Sequence, residues 1–253
     1  MSASHRAYFV LVGLFALWVG AWGFIAPTEV GRALPWTVPP LHARFIAAMY
    51  LAGFTAMLLS LFVRQPGSMR IALVLASVWT GALFVVSLLN LEAFDFAKPQ
   101  VWFWFAAYAV YPLWGAWLLG RGRSSGRASA AGGRVDALLV VVAVACLVLA
   151  AALAFAPAVL AGLWPWKVTP LIAHVYCGPF AAWGFAALLL AREPRRESRR
   201  VVLVAMVVFT ALTIVASLLH RPLFNFGSPA AWLWFGGFAA WLLIAGRSLL
   251  QRN

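Results

Sequence analysis

Two histidines and a cysteine in apolar segments are the residues of this chain best suited to ligand chemistry. His174 stands about one helical turn inside a predicted membrane span, Cys177 follows on the same helical face, and His220 ends a neighbouring antiparallel span. Desolvation favours the neutral imidazole, which is the form that binds a metal ion, haem iron or a quinone oxygen. We therefore expect His174 and His220 to approach each other and share a ligand; the simpler alternative is polar contact between helices.

A second group of polar residues lies at the same end of the spans in the first half of the chain. Arg44 begins one span, and Asn90, Glu92 and Asp95 follow the end of another. A guanidinium just below the membrane surface needs a counter-ion or a route to water. We expect Arg44 to pair with Glu92 or Asp95. The alternative is that Arg44 binds an anionic head group, a carboxylate or a quinone oxygen, with an acid nearby as proton acceptor.

These polar positions belong to a phrase that occurs twice. "SLLNLEAFDF" returns as "SLLHRPLFNF", so that Asn90 becomes His220 and Asp95 becomes Asn225. The same offset of 130 residues superimposes the two halves without a gap from Pro27 onward, and it matches "VWFWF" with "AWLWF". We interpret this as a tandem gene duplication. The retained letters hold a helix end and a turn, whereas the changed letters are candidate ligand-binding positions.

The composition is that of a membrane protein. Of the 253 residues, 65% are hydrophobic and 10% charged, with a mean hydropathy of +0.94, whereas a soluble domain carries about a quarter charged residues. Since lipid cannot satisfy backbone polar groups, the long apolar runs must be helices. They predict an all-α integral membrane protein with eight transmembrane helices. The spans are near 7–26, 42–63, 70–90, 100–119, 136–156, 170–191, 200–220 and 230–249.

Each half of the chain holds four of these spans. The first unit covers residues 1–120, the second covers 136–253, and a polar Gly- and Ser-rich linker at 121–135 joins them. Because four is an even number, both units enter and leave the membrane on the same side, and their repeat axis should run along the membrane normal. We expect two tandem four-helix bundles packed side by side around a pseudo-two-fold axis.

The basic residues indicate the orientation. Fourteen of the 19 Lys and Arg residues fall on one side of the predicted spans and five on the other. The positive-inside rule then places both termini in the cytoplasm, in what we expect to be the cytoplasmic membrane of a bacterium. Orientation explains the net charge of +13 better than nucleic-acid binding does, so the expected partners are membrane lipids and other membrane subunits.

Each half is similar to the DoxX-like group of small four-helix bacterial membrane proteins. The similarity rests on "FIAPTEV", which closes the first span, and on "ARFIAAMYLAGFTAMLL", which opens the second with Arg44 followed by small residues. In the second half, His174 replaces this arginine. Some members of the group are associated with quinone-linked oxidoreductases, so the resemblance implies a subunit that faces quinone or lipid.

Three functions from different classes remain open at this stage. The sequence favours an accessory or ligand-binding membrane subunit, in a redox or envelope complex, with a quinone, lipid or similar hydrophobic ligand at the outer mouth. The alternatives are a small-molecule transporter with its substrate between the repeats, and a membrane enzyme or haem protein that uses His174 and His220. The predicted spans carry no acid at mid-depth to couple transport. The chain also lacks a phosphate-binding loop, a zinc-protease signature and a Ser/His/Asp set.

Overall fold

A computed structural model describes residues 1–30, 34, 38–121 and 135–251 of the chain. Most of the predicted linker at 121–135 therefore lies outside the described residues. Within them the protein is all-helical, without strands. The ten α-helices are α1 (Ala3–Ile25), α2 (Pro27–Val30), α3 (Pro40–Ser60), α4 (Arg70–Leu89), α5 (Pro99–Arg121), α6 (Ala137–Phe155), α7 (Pro157–Leu163), α8 (Pro170–Leu190), α9 (Arg196–Leu219) and α10 (Pro229–Leu250).

Prolines begin six of these ten described helices. Proline suits the first helical position because its fixed φ matches the helix and its missing N–H has no partner there in any case. The six form three pairs separated by 130 residues, and they begin α2 and α7, α3 and α8, and α5 and α10. Equivalent helices of the two halves thus begin at equivalent prolines.

Seven of the described helices are long and apolar enough to cross a membrane, which indicates an integral membrane protein. The helix α5 is not among the seven, although its 23 residues would extend over about 35 Å. Its sequence contains four tryptophans, two tyrosines and an internal proline, Pro112, and these lower its mean hydropathy. A crossing by α5, and with it the eighth span, stays a prediction.

The long helices pair within each half at the periphery. The helix α1 packs along α3, α4 along α5, α6 along α8, and α9 along α10. Glycine permits the close approach of α1 and α3, because a Cβ atom on Gly20 would lie 2.8 Å from Cγ and 3.0 Å from the backbone nitrogen of Leu51. Small residues at such crossings are common where helices associate in lipid.

The central helices pair between the halves, and this corrects the prediction of two separate bundles side by side. The main inner partner of α3 is α9, and that of α4 is α8, whereas α3 touches α4, and α8 touches α9, only slightly. At these crossings the Phe45 ring lies 5.9 Å from that of Phe209, and Gly178 faces the ring of Trp79. The inner faces of each half are therefore buried against the other half.

The retained letters of the repeated phrase form the same contacts in both halves. The indole Nε1 of Trp104 donates a hydrogen bond to Ser87 Oγ at 3.0 Å, and Trp234 donates to Ser217 Oγ at 2.9 Å. Each bond ties the last turn of one helix, α4 or α9, to the start of the next. These serines and tryptophans thus fix a helix end that both halves need.

Reporter fusions test the number of spans. With eight spans, reporters after Arg127 and after Asn253 are expected to be cytoplasmic and a reporter at Ala97 external, because the charge split orients the chain. If α5 does not cross, the reporter after Arg127 will be on the same side as the reporter at Ala97. That result would contradict the eight-span prediction.

Candidate functional site

Arg44 lies in the first turn of α3 and reaches out to both of its neighbours. Its Nε donates to the carbonyl of Phe24 at 3.0 Å, and its Nη1 lies 2.6 Å from Nε2 of His220. The Phe24 carbonyl belongs to the last turn of α1, where carbonyls lack helical partners. Arginine can only donate, so His220 Nε2 is the acceptor and the proton of the neutral ring is on Nδ1. Arg44 therefore joins α1, α3 and the end of α9.

His174 makes the corresponding contact in α8. The side-chain amide of Asn90 donates to the carbonyl of Val86 at 2.7 Å and lies 3.3 Å from Nδ1 of His174. Because the amide nitrogen is a donor, His174 Nδ1 accepts and its Nε2 carries the proton when the ring is neutral. The contact joins the end of α4 to the first turns of α8.

The two contacts are counterparts in the repeat. Arg44 matches His174, and His220 matches Asn90, at the offset of 130 residues. Each contact links the second span of one half to the end of the third span of the other half, as the packing of α3 on α9 and α4 on α8 requires. The candidate site is thus shared between the halves.

The predicted ion pair between Arg44 and Glu92 or Asp95 is wrong. Among the described residues, no carboxylate forms an ion pair with Arg44. Glu92 is exposed, and Asp95 lies 3.4 Å from Lys98 on the surface. The prediction paired the second and third spans of one half, whereas the structure separates them and places His220 beside Arg44.

The change from Asp95 to Asn225 preserves a turn. Asp95 Oδ1 accepts a hydrogen bond from the backbone of Ala97 at 3.1 Å, and Asn225 Oδ1 accepts one from Gly227 at 3.0 Å. Asp and Asn both form this local turn, and both side chains are exposed. The structure thus gives these two predicted ligand-binding residues a role in the backbone.

The shared ligand of His174 and His220 stays a prediction. No hydrogen bond joins the two rings directly, since each binds a residue of the first half. Cys177 and Cys146 are buried free thiols. The part of the chain that the structure describes contains no group of three or more His, Cys, Asp or Glu side chains arranged to hold a metal ion.

Sequence reasoning missed the most buried histidine of the site. His42 is 3% exposed, and its Nδ1 lies 2.5 Å from the hydroxyl of Tyr176 in the other half. Its position two residues before Arg44, at the start of an apolar span, was the available signal. The repeat hid it, because the counterparts of His42 and Tyr176 are Ile172 and Ile46.

An apolar pocket lies directly inside this polar rim. Its walls include Ala43 and Ala47, which flank Arg44 on α3, and Val175, which follows His174 on α8. Gly23 and Leu83 contribute from the ends of α1 and α4. The rim therefore presents hydrogen-bonding groups at the mouth of an apolar space, the arrangement that suits an amphiphilic ligand.

The contact between His42 and Tyr176 is expected to be a coupled pair. Tyr176→Phe alone leaves a buried ring nitrogen of His42 without its partner and should lower the free energy of unfolding by about 1–3 kcal/mol. The double variant His42→Phe/Tyr176→Phe removes both polar groups and should recover part of the loss. Thermal unfolding of the four proteins in detergent measures the coupling. Strictly additive losses would contradict it.

Acid is expected to weaken the contact between Arg44 and His220. Partial burial, and then the charge of Arg44, lower the pKa of His220 below its ordinary value. The folded state therefore favours the neutral ring, so stability is greatest above the ordinary pKa of about 6.5 and falls as the pH drops below it. His220→Asn, which copies Asn90, should flatten the change in Tm between pH 7.5 and 5. An equal change in both proteins would refute this origin.

No protein-family model, characterised protein or solved structure matches this chain. The functional argument therefore depends on the geometry of the site.

Proposed function

We propose that this membrane protein binds a hydrophobic ligand with an oxygen-bearing head group, a quinone or a lipid, at the outer mouth of its helices. It acts as an accessory or ligand-binding subunit in a redox or envelope complex, with membrane lipids and partner subunits around it. The head group binds at Arg44, with His220, His174 and Asn90 beside it.

The unused donors of Arg44 carry this proposal. A guanidinium has five N–H donors, and the described residues occupy two of them, through Phe24 and His220. The partner of this cation is a histidine that burial and the arginine itself keep neutral. Arg44 therefore offers a positive charge and free donors at the rim of an apolar pocket. An anionic or carbonyl oxygen is the complementary group.

The proposed setting is a bacterial cytoplasmic membrane, with eight spans and both termini in the cytoplasm. The two halves are tandem repeats related by a pseudo-two-fold axis along the membrane normal. The matching contacts of Trp104 and Trp234 support the duplication, and the charge split supports the orientation. The resemblance of each half to DoxX-like proteins is consistent with a subunit that faces quinone or lipid.

Exchange of single arginines tests the head-group site. Arg44→Met and Arg221→Met each remove one positive charge from the proposed outer side. Arg221 is exposed, and its guanidinium packs 5.6 Å from the ring of Phe226, away from the pocket. Native mass spectrometry after mild detergent extraction should find a bound quinone or lipid in wild type and Arg221→Met. Arg44→Met should retain at least about tenfold less, as expected for the loss of more than 1.4 kcal/mol of binding.

Equal retention by Arg44→Met and wild type would refute the proposal. Size-exclusion profiles and helical circular dichroism show whether Arg44→Met is folded. His220→Asn provides a second variant that alters the same site without removing the charge, and it should change retention less than Arg44→Met does.

A further inference from the structure

The first half contains a second apolar pocket below the one at the rim. The outer pocket covers about 370 Å³ and the inner one about 450 Å³, both including their open mouths. Tyr50 lines both, so the two pockets share a wall. Along α3 they extend from Ala43 to Met57, a rise of about 21 Å. Together they follow α3 from the polar rim deep into the membrane.

The second half has large aromatic side chains at the matching positions of the outer pocket. Leu34 and Ile46 line this pocket in the first half, and their counterparts are Trp164 and Tyr176. The rings of Trp164 and Tyr176 lie 5.6 Å apart, and Trp164 also packs 5.6 Å from Trp234. Aromatic rings thus occupy in one half the volume that is open in the other.

The inner pocket shows the same difference at Gly53. A Cβ atom on Gly53 would meet nothing within 4 Å, whereas its counterpart is Trp183, which is fully buried and stacked 5.5 Å from Phe209. A mid-helix glycine costs about 0.5–1 kcal/mol relative to alanine. Gly53 therefore leaves a space that the fold itself does not need.

One wall of the inner pocket carries a polar atom without a partner. Trp79 lines this pocket, and its buried Nε1 has no acceptor among the described residues. An unsatisfied buried N–H is costly, and a ligand oxygen would satisfy it. The hydroxyls of Tyr50 and Tyr108, by contrast, bond to each other.

The pockets lie behind a seam that faces the membrane. The helices α1 and α5 touch each other only slightly, although both line the inner pocket. The ring of Phe15 spans this seam, 5.8 Å from Phe103 and 6.0 Å from Tyr111. A hydrophobic chain could pass from lipid to the pocket here by displacing a single side chain.

We propose that the two pockets of the first half hold one flexible apolar chain, isoprenoid or acyl, attached to the head group that binds Arg44. This inference rests on the proposed function and adds the class of ligand: a single-chain amphiphile about 20 Å deep in the protein. The second half, filled by its own aromatic rings, takes no such chain. The asymmetry makes one half the binding unit and the other its rigid support.

Probes with and without a chain separate the two parts of the ligand. Ubiquinone-0 and decylubiquinone share a head group, as do glycerol phosphate and palmitoyl lysophosphatidylglycerol in the lipid series. Binding is measured by tryptophan fluorescence in a rigid sterol-based detergent, which has no flexible chain to enter the pocket. In one of the two series, the chain should raise the affinity of wild type at least about thirtyfold, since each buried CH₂ contributes about 0.8 kcal/mol.

Gly53→Leu fills the inner pocket and is the decisive variant. It should weaken binding of the chain-bearing probe at least tenfold and leave the chainless probe unchanged, with Gly53→Ala intermediate. Gly237→Leu is the matched control, because a Cβ there also meets nothing within 4 Å and Gly237 faces outward from α10. It should change neither affinity.

The outcomes distinguish this inference from the proposed head-group site. Equal affinity of wild type and Gly53→Leu for the chain-bearing probe would overturn the chain pocket, while binding of the chainless probe that depends on Arg44 would still support the head-group site. A chain effect that Gly53→Leu abolishes, together with no effect of Arg44→Met on either probe, would overturn the head-group site instead.

Discussion

Trp183→Ala is expected to lower the free energy of unfolding by about 3–5 kcal/mol, the range for removing a fully buried aromatic side chain. Trp183 is 0% exposed. Its ring stacks 5.5 Å from that of Phe209 and meets that of Trp241 edge-on at 6.2 Å. Thermal unfolding of the purified protein should show a fall in Tm of about 6–20 °C, at roughly 2–4 °C per kcal/mol for a chain of this size.

Trp232→Ala is the matched control for this loss. Trp232 is 64% exposed and donates one hydrogen bond to the carbonyl of Phe226. Its removal should cost about 1 kcal/mol or less. A similar fall in Tm for both tryptophans would show that the second half tolerates a cavity as the first half does, and that its aromatic rings are not a rigid support.

Gly178→Leu is expected to destabilise the packing between the halves by about 1–3 kcal/mol, as overpacking does. A Cβ on Gly178 would lie 2.9 Å from two ring carbons of Trp79 and 3.4 Å from Cβ of Ala82. The indole is rigid and 5% exposed, so α4 and α8 must move apart. Thermal unfolding and the size-exclusion profile report the change.

A compensating substitution shows whether the loss arises at this contact. Trp79→Leu removes the wide ring, so the double variant Gly178→Leu/Trp79→Leu should be more stable than the sum of the two single losses implies. Gly236→Leu on α10, where a Cβ meets nothing within 4 Å, controls for the change of glycine itself. Additive losses at positions 79 and 178 would contradict the packing of α4 on α8.

Much of the fold could be predicted from the sequence because its signals are local. Apolar length, the prolines that begin helices and the repeat each act over one helix and its flanks, and they located all the long helices to within a few residues. The helix α5 shows the limit of hydropathy. Tryptophan and tyrosine carry polar atoms and score poorly, yet the Trp104 indole is buried by a hydrogen bond to Ser87.

The partners of the polar residues could not be predicted, because pairing depends on which helices pack together. Arg44 lies 176 residues from His220 in sequence, and no local pattern indicates that α3 packs on α9. The repeat was informative about equivalence and misleading about adjacency. It suggested that each half closes on itself, whereas the same matched positions also fit an exchange of partners between the halves. His42 was overlooked for a related reason, since its counterpart is an isoleucine.

The exchange of partners between the halves imposes an order on biosynthesis. At about 5–20 residues per second, the 176 residues between Arg44 and His220 take roughly 9–35 s to translate. During that interval α3 and α4 are in the membrane without the helices that bury their inner faces, and Arg44 is without its histidine. The nascent first half must therefore wait, held by lipid, a chaperone or the insertion machinery. Expressed alone, it would expose those faces to any other helix, including a second copy of itself.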